Sequence, residues 1–253
     1  MTSPLVIGNW KMNMLASQAC DMAQSLVGKF STIDGVEVVI APPHTSLYPV
    51  SNIIKSSLIG LAGQNFFPES NGPFTGEVAL EMLKDVGCSY VLIGHSERRS
   101  LFGENDEVVN KKVHHAMRLG MTAVVCVGES LMHRKENATL DVLKTQLSMG
   151  LAGISGEYAS KLVIAYEPVW AIGTGVNATP DQVVEVHKFI RNFLFETLGF
   201  SEELGLRILY GGSVTPENSN ELLREEEIDG ALVGGASLNF ESFCNIINSA
   251  LEP

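Results

Sequence analysis

Short, β-branched apolar runs recur along the whole chain, at Leu5–Ile7, Val36–Ile40, Leu58–Leu61, Tyr90–Ile93, Ala123–Val127, Leu162–Ala165, Arg207–Leu209 and Ala231–Val233. Most are apolar at every position rather than at alternate ones, the pattern of strands covered on both faces. Segments of helical period separate them. The first carries Leu15, Ala19, Met22, Ala23, Leu26, Val27 and Phe30 on one stripe. The helix after the sixth run opens on Thr179-Pro180-Asp181-Gln182, with an N-cap, a proline at the first helical position and a glutamine at the third. Thr215-Pro216-Glu217 predicts the same kind of opening after the seventh run. Eight strands alternating with helices fit two architectures, a closed (β/α)8 barrel or an open doubly wound sheet, and periodicity does not separate them. At 253 residues, with no linker or low-complexity stretch, residues 1–253 read as one domain in either case.

The formal net charge of −12, with no Lys/Arg-rich run, argues against nucleic acid as a partner, because a phosphate backbone would be repelled. Cys20, Cys88, Cys126 and Cys244 are scattered without CxxC spacing, which fits reduced thiols better than a disulfide frame or a zinc site. No run approaches membrane-spanning length and no basic leader precedes an apolar core, so the expectation is a cytoplasmic protein with no membrane partner.

Chemistry-bearing residues gather just past the strand ends. The first run leads into Gly8-Asn9-Trp10-Lys11, which brings an ammonium to its C-terminal end. The fourth leads into Gly94-His95-Ser96-Glu97, which sets an imidazole at a helix start, among unpaired backbone N–H groups that disfavour its protonation. The sixth delivers Glu167 and stops at Pro168, which fixes its own φ and holds Glu167 extended. A small, Gly-rich segment follows, suited to close over a ligand, so that Glu167 could serve as a base sheltered from water. Gly211-Gly212-Ser213 and Gly234-Gly235 end the seventh and eighth runs, where bare backbone N–H groups can meet a phosphate. Each feature alone has a plainer reading: a surface lysine, a helix cap, a strand end, tight turns. Their common position after strands is what argues for a site.

The blocks GNWKMN (8–13), FTGE (74–77), IGHSERR (93–99), CVGE (126–129), AYEPVWAIGTG (165–175), YGGSV (210–214) and DGALVGGASL (229–238) resemble the triosephosphate isomerase family, in family order and over nearly the full chain. The resemblance implies the closed barrel, a homodimer, and interconversion of dihydroxyacetone phosphate and glyceraldehyde 3-phosphate without cofactor or metal. It implies Glu167 as the base, His95 as a neutral electrophile and Lys11 as a fixed cation, with Asn9 nearby and Glu97 as the lysine's partner; this base and neutral histidine are also the standard illustration of pKa tuning in that enzyme. The phosphate would rest on backbone N–H groups of Gly173, Ser213, Gly234 and Gly235. Ile172 and Leu232 would crowd Glu167 under a lid spanning 168–178, and Tyr210 and Glu129 would latch it. Residues 64–77 resemble the family's interdigitating dimer loop, with Thr75 reaching the neighbour's site. Phe66 and Phe67 either serve that loop or fold back into their own core, and Asn71-Gly72 would be its tight turn.

Departures are few: Val176-Asn177-Ala178 replaces a segment that often begins with lysine, and Pro73 precedes Phe74 where a small residue is usual. Cys126 follows the family pattern, and without a histidine partner it reads as packing rather than a nucleophile. Three other functions fit parts of the pattern. Gly173 to Ala178 matches G-x-G-x-x-G/A, but it lies late in the chain and lacks a suitably placed acid about 20 residues on, which weakens a nicotinamide-dependent oxidoreductase. A Schiff-base aldolase would need lysine where Glu167 stands. A non-catalytic phosphosugar-binding barrel would have no use for both Glu167 and His95.

Overall fold

The computed structural model describes residues 3–173, 177–200 and 205–251. Its eight strands are β1 (Leu5–Asn9), β2 (Glu37–Ala41), β3 (Gly60–Gly63), β4 (Tyr90–Ile93), β5 (Thr122–Val127), β6 (Leu162–Tyr166), β7 (Arg207–Tyr210) and β8 (Gly230–Val233). They are parallel, pair in chain order and close into a barrel, because β1 bonds β8 as well as β2. Closure rests on one register, Leu5 opposite Gly230 through Gly8 opposite Val233. That pairing decides between the two architectures.

The apolar runs are continuous because both faces of every strand are covered. Leu5 and Ile7 point into the barrel, where they pack with Val39, Leu92, Val124 and Val163, whereas Val6 between them faces the helices. At the N-terminal mouth, Glu37, Tyr90 and Arg207 plug the interior. The Tyr90 hydroxyl donates to Glu37, and an Arg207 Nη lies 2.5 Å from the other oxygen of the same carboxylate. The opposite mouth is left for chemistry.

Several local expectations need correction. Leu58 is exposed and the third strand begins only at Gly60. Leu15 is likewise exposed, at the N-cap of the helix Ala16–Phe30, whose buried stripe is Ala19, Ala23, Leu26 and Phe30. Apolar character extends past the point where cover ends. The helix Pro180–Leu198 opens as expected, with the Thr179 hydroxyl accepting from the Gln182 amide and the Gln182 side chain accepting from the Thr179 amide. After β7, however, the continuous helix is only Ser219–Leu223; the turn from Thr215 is capped by the Asn218 side chain, which accepts from the Thr215 amide at 2.8 Å.

In the loop 64–77 the two phenylalanines part company. Phe66 is buried against His115, while Phe67 is half-buried and packs on Phe74 with the ring centroids 4.4 Å apart and the planes tilted by 37°. Two hydrogen-bonded turns follow one another here: the Phe74 amide donates to the Gly72 carbonyl at 2.9 Å, and the Glu77 amide donates to the Phe74 carbonyl, with Gly76 supplying the positive φ, +93°, of the second.

Candidate active site

Three strand ends at the C-terminal mouth aim side chains at one another. Past β1, Lys11 adopts φ +51°, a left-handed conformation rare for a side-chain-bearing residue. Two contacts hold it there: the Lys11 amide donates to Asn9 Oδ1 (3.1 Å), and the Gln64 side-chain amide donates to the Lys11 and Ala41 carbonyls, each at 2.8 Å. The Lys11 ammonium then lies 2.7 Å from Glu97 Oε1.

His95 caps the helix Ser96–Phe102, its Nδ1 accepting from the Glu97 amide at 3.2 Å. With Nδ1 an acceptor, a neutral ring carries its proton on Nε2, which lies 3.0 Å from Glu167 Oε1. Glu167 is 2% exposed. Its amide donates to Val127 O (2.7 Å) and its Oε2 accepts from the Ser96 amide (2.8 Å). Gly211 of the β7 exit is required here, since a Cβ would stand 2.9 Å from Glu167 Cγ.

Burial works against charge on both members of this pair, and each partner's charge works for it. Burial would lower His95, but the Glu167 carboxylate outweighs it and holds the imidazole above its ordinary range. Burial would raise Glu167, but His95 and the Ser96 amide hold the carboxyl below its ordinary range. The neutral histidine expected from the helix start alone is therefore opposed for as long as the carboxylate touches it. That expectation counted the helix amides and not the carboxylate.

Lys11, His95 and Glu167 line one cavity of about 350 Å³, together with Asn9, Ile172, Gly173, Ser213, Leu232, Gly234 and Gly235. Glu97 lines an adjoining cleft of about 520 Å³ that shares Asn9, Lys11 and His95. The remaining candidates lie elsewhere. Cys126 is wholly buried in the barrel interior, where burial and then the Glu167 charge push its thiol well above the usual range. Glu129 is buried and accepts from the Tyr166 hydroxyl and from Trp170 Nε1 (2.7 Å). Tyr210 is buried, and its hydroxyl makes no hydrogen bond among the described residues. Thr75 is exposed and does not line either cavity of its own chain. Of the lid, residues 174–176 lie outside the described residues, and with them half of the G-x-G-x-x-G run and the first position of Val176-Asn177-Ala178.

Further polar groups brace this mouth without having stood out in the sequence. Glu104 accepts from the Gly94 amide and pairs with Arg98 and the buried Lys112, which also donates to Asn65. Gln146 bonds both the N–H and the carbonyl of Gly128. A buried charge such as Lys112 needs partners, but those partners come from other elements and carry no spacing signature. Among the described residues no group of three His, Cys, Asp or Glu could hold a metal ion, and no helix is long and apolar enough to cross a membrane.

The family model for triosephosphate isomerase matches residues 4–250. The chain belongs to the triosephosphate isomerase family. Its relatives include the triosephosphate isomerases of Endomicrobium trichonymphae, 51% identical over 247 residues and 98% of each chain, and of Geotalea uraniireducens (strain Rf4), 49% identical over the same share. That of Carboxydothermus hydrogenoformans is 46% identical over 251 residues, 99% of this chain and all of its own. Membership in the triosephosphate isomerase family makes the chain an isomerase, and the fold that carries it is the closed barrel.

Proposed function

We propose that the protein interconverts dihydroxyacetone phosphate and D-glyceraldehyde 3-phosphate through an enediolate, using no cofactor or metal. The observation that carries this reading is the convergence of Lys11, His95 and Glu167 on one cavity that is also lined at Gly173, Ser213, Gly234 and Gly235. Those positions form the rim that supplies N–H groups for a phosphate, while Lys11 adds the local positive charge. The overall negative charge matters little, because screening over about 8 Å leaves the nearby groups in control.

With the phosphate so held, the substrate carbonyl oxygen is directed to His95 Nε2–H and the Lys11 ammonium. A ligand that takes the Nε2–H removes the bond that holds Glu167 weakly basic. Glu167 then takes a proton from the carbon beside the carbonyl. The resulting negative oxygen is stabilised by His95 and Lys11; it gains a proton from His95 Nε2 while the neighbouring hydroxyl returns its own to that nitrogen, and Glu167 gives its proton back to the neighbouring carbon, so the carbonyl moves by one carbon with no net oxidation. Once Glu167 leaves the histidine, burial and Lys11 both act against protonating His95, which favours the neutral electrophile. Ile172 and Leu232 flank the same cavity, so closure of 168–178 would further desolvate the carboxylate and strengthen the base. Glu129, bonded to Trp170, and the buried Tyr210 would serve as the latches of that segment.

Dimerisation belongs to the same proposal. Thr75 and Phe74 project from the loop 64–77 beside the 520 Å³ cleft, whose edge also exposes Met12 and Phe102. A second copy's loop would cover this apolar rim and complete the wall behind Lys11. Localisation in the cytoplasm accords with the reduced cysteines. The test is a coupled assay of purified protein in chelator, together with light scattering. Brisk isomerisation by a particle of twice the chain mass is expected. Absence of turnover in wild-type protein, or full turnover in His95→Gln, would refute the catalytic reading.

A further inference from the structure

We propose that Arg99 is a positioning residue, fixing where the His95 imidazole stands relative to Glu167; the inference deepens the catalytic reading above and rests on it. The guanidinium uses three of its donors in three directions. Nε donates to the Gly94 carbonyl at 2.7 Å, one Nη to Asp106 Oδ1 at 2.6 Å, and the other to the Cys126 carbonyl at 3.2 Å. Gly94 is the hinge between β4 and His95, with φ +72°, and a Cβ there would stand 3.0 Å from the guanidinium. Its amide is taken by Glu104 Oε1 at 3.0 Å, so the backbone just before the imidazole is gripped from both sides.

The Cys126 contact reaches the other half of the pair. Cys126 lies opposite Ala165 in the β5–β6 register, and the next residue, Val127, accepts the Glu167 amide. One planar guanidinium therefore ties the exit of β4, which bears the imidazole, to the end of β5, whose Val127 accepts the Glu167 amide. Pairing with Asp106 alone would neutralise the charge and would need neither carbonyl. A lysine ammonium, compact and on a flexible stem, cannot reproduce that planar three-way geometry.

The phosphate rim lies on the exits of β6, β7 and β8, away from this brace. Arg99→Lys should therefore lower kcat by about 10- to 100-fold, the cost of a small displacement in a proton-transfer site, and leave KM essentially unchanged. Asp106→Asn, which keeps both carbonyl contacts, should lower the melting temperature while retaining kcat. Guanidinium ion added to folded Arg99→Ala should restore kcat in a saturable manner without changing KM. Arg99→Gln is the second variant if Arg99→Lys does not fold, with the same kcat-only loss expected. Wild-type kcat in the folded Arg99 variants, or a kcat loss that Asp106→Asn reproduces at equal loss of melting temperature, would overturn the assignment. His95→Gln separates the two levels: if it too turns over normally, the catalytic reading has failed, and if it alone is crippled, only the role of Arg99 has.

Discussion

The Nε2 of His95 lies 3.0 Å from Oε1 of Glu167, and both side chains are buried. The two groups proposed to act on opposite sides of one proton transfer are therefore bonded to each other. The contact raises the imidazole and depresses the carboxyl, which is the reverse of what catalysis asks of each. A substrate oxygen competing for the same N–H undoes both shifts in one exchange. On the proposed mechanism, binding and activation of the base are in this way a single event.

Glu167→Asp tests how finely that exchange is set. The Glu167 amide is fixed to Val127 and its second oxygen to the Ser96 amide, so shortening the side chain by one methylene withdraws the carboxylate without moving its backbone. The phosphate rim is untouched. Turnover should fall by about 100-fold with modest change in KM. A coupled assay reads both, and a wild-type rate would remove Glu167 from the role of base.

Acid sensitivity should come from a different histidine. His187, on the helix Pro180–Leu198, is fully buried, with Nδ1 3.0 Å from the Glu227 carbonyl and, among the described residues, no hydrogen-bond partner for Nε2. Burial lowers it to about 4, and Arg191 adds to the effect while the Glu227 carbonyl opposes it. Above the ordinary value of 6.5 neither folded nor unfolded chain is protonated here, and nothing is lost. As the pH falls from 6.5 toward about 4, only the unfolded chain takes up the proton, so stability falls with it. Denaturant unfolding should show a loss of roughly 2 kcal/mol between pH 7 and pH 5 from this group. His187→Gln, which can still donate to Glu227, should flatten that difference; an unchanged pH dependence would exclude His187 as its source.

Much of the barrel was legible because each strand is its own apolar run, and the candidate site was legible because its residues directly follow those runs. Lys11, His95 and Glu167 could be located by counting from the end of a strand. Closure could not, since it depends on Leu5 meeting Gly230 from the other end of the chain. Leu15 and Leu58 misled because hydrophobicity records a side chain's preference and not whether a neighbour covers it. Gln64, Glu104, Lys112 and Arg99 were illegible for a related reason. Each acts through a carbonyl, amide or carboxylate on another element, and no spacing in the sequence marks such a pair. The protonation of His95 shares that difficulty: its helix start was visible and its contact with Glu167 was not.

Thiol reactivity should divide the four cysteines sharply. Burial pushes Cys88 up to about 12 and Cys126 well beyond the usual range, and it also raises the buried Cys244. Cys20, on the helix Ala16–Phe30, is the partly exposed one. The thiolate is the reacting species, so a maleimide at neutral pH should modify Cys20 in the folded protein and all four in denaturant. Mass mapping that finds Cys126 modified in folded protein would contradict its assignment as packing beneath Glu167.

Lys11 allows electrostatics to be separated from folding. Its left-handed φ of +51° costs alanine or arginine about as much as lysine, and the contacts that hold it there come from its own backbone amide and carbonyl. Lys11→Ala and Lys11→Arg should thus unfold near the wild-type temperature. The ammonium, however, sits between Glu97 at 2.7 Å and the Gly234 rim, where even a glycine Cβ would approach Lys11 Cε at 3.3 Å. Removing it takes away the charge proposed to meet both the phosphate and the developing oxyanion, so kcat/KM of Lys11→Ala should fall on the order of 100- to 1,000-fold, through both kcat and KM. Arginine restores the charge but spreads it over a longer planar group that the rim leaves no space to seat, and rescue should be incomplete. Full activity in Lys11→Arg would mean that positive charge alone suffices; full activity in Lys11→Ala would mean that the phosphate and oxyanion are held by the backbone amides and His95 without it.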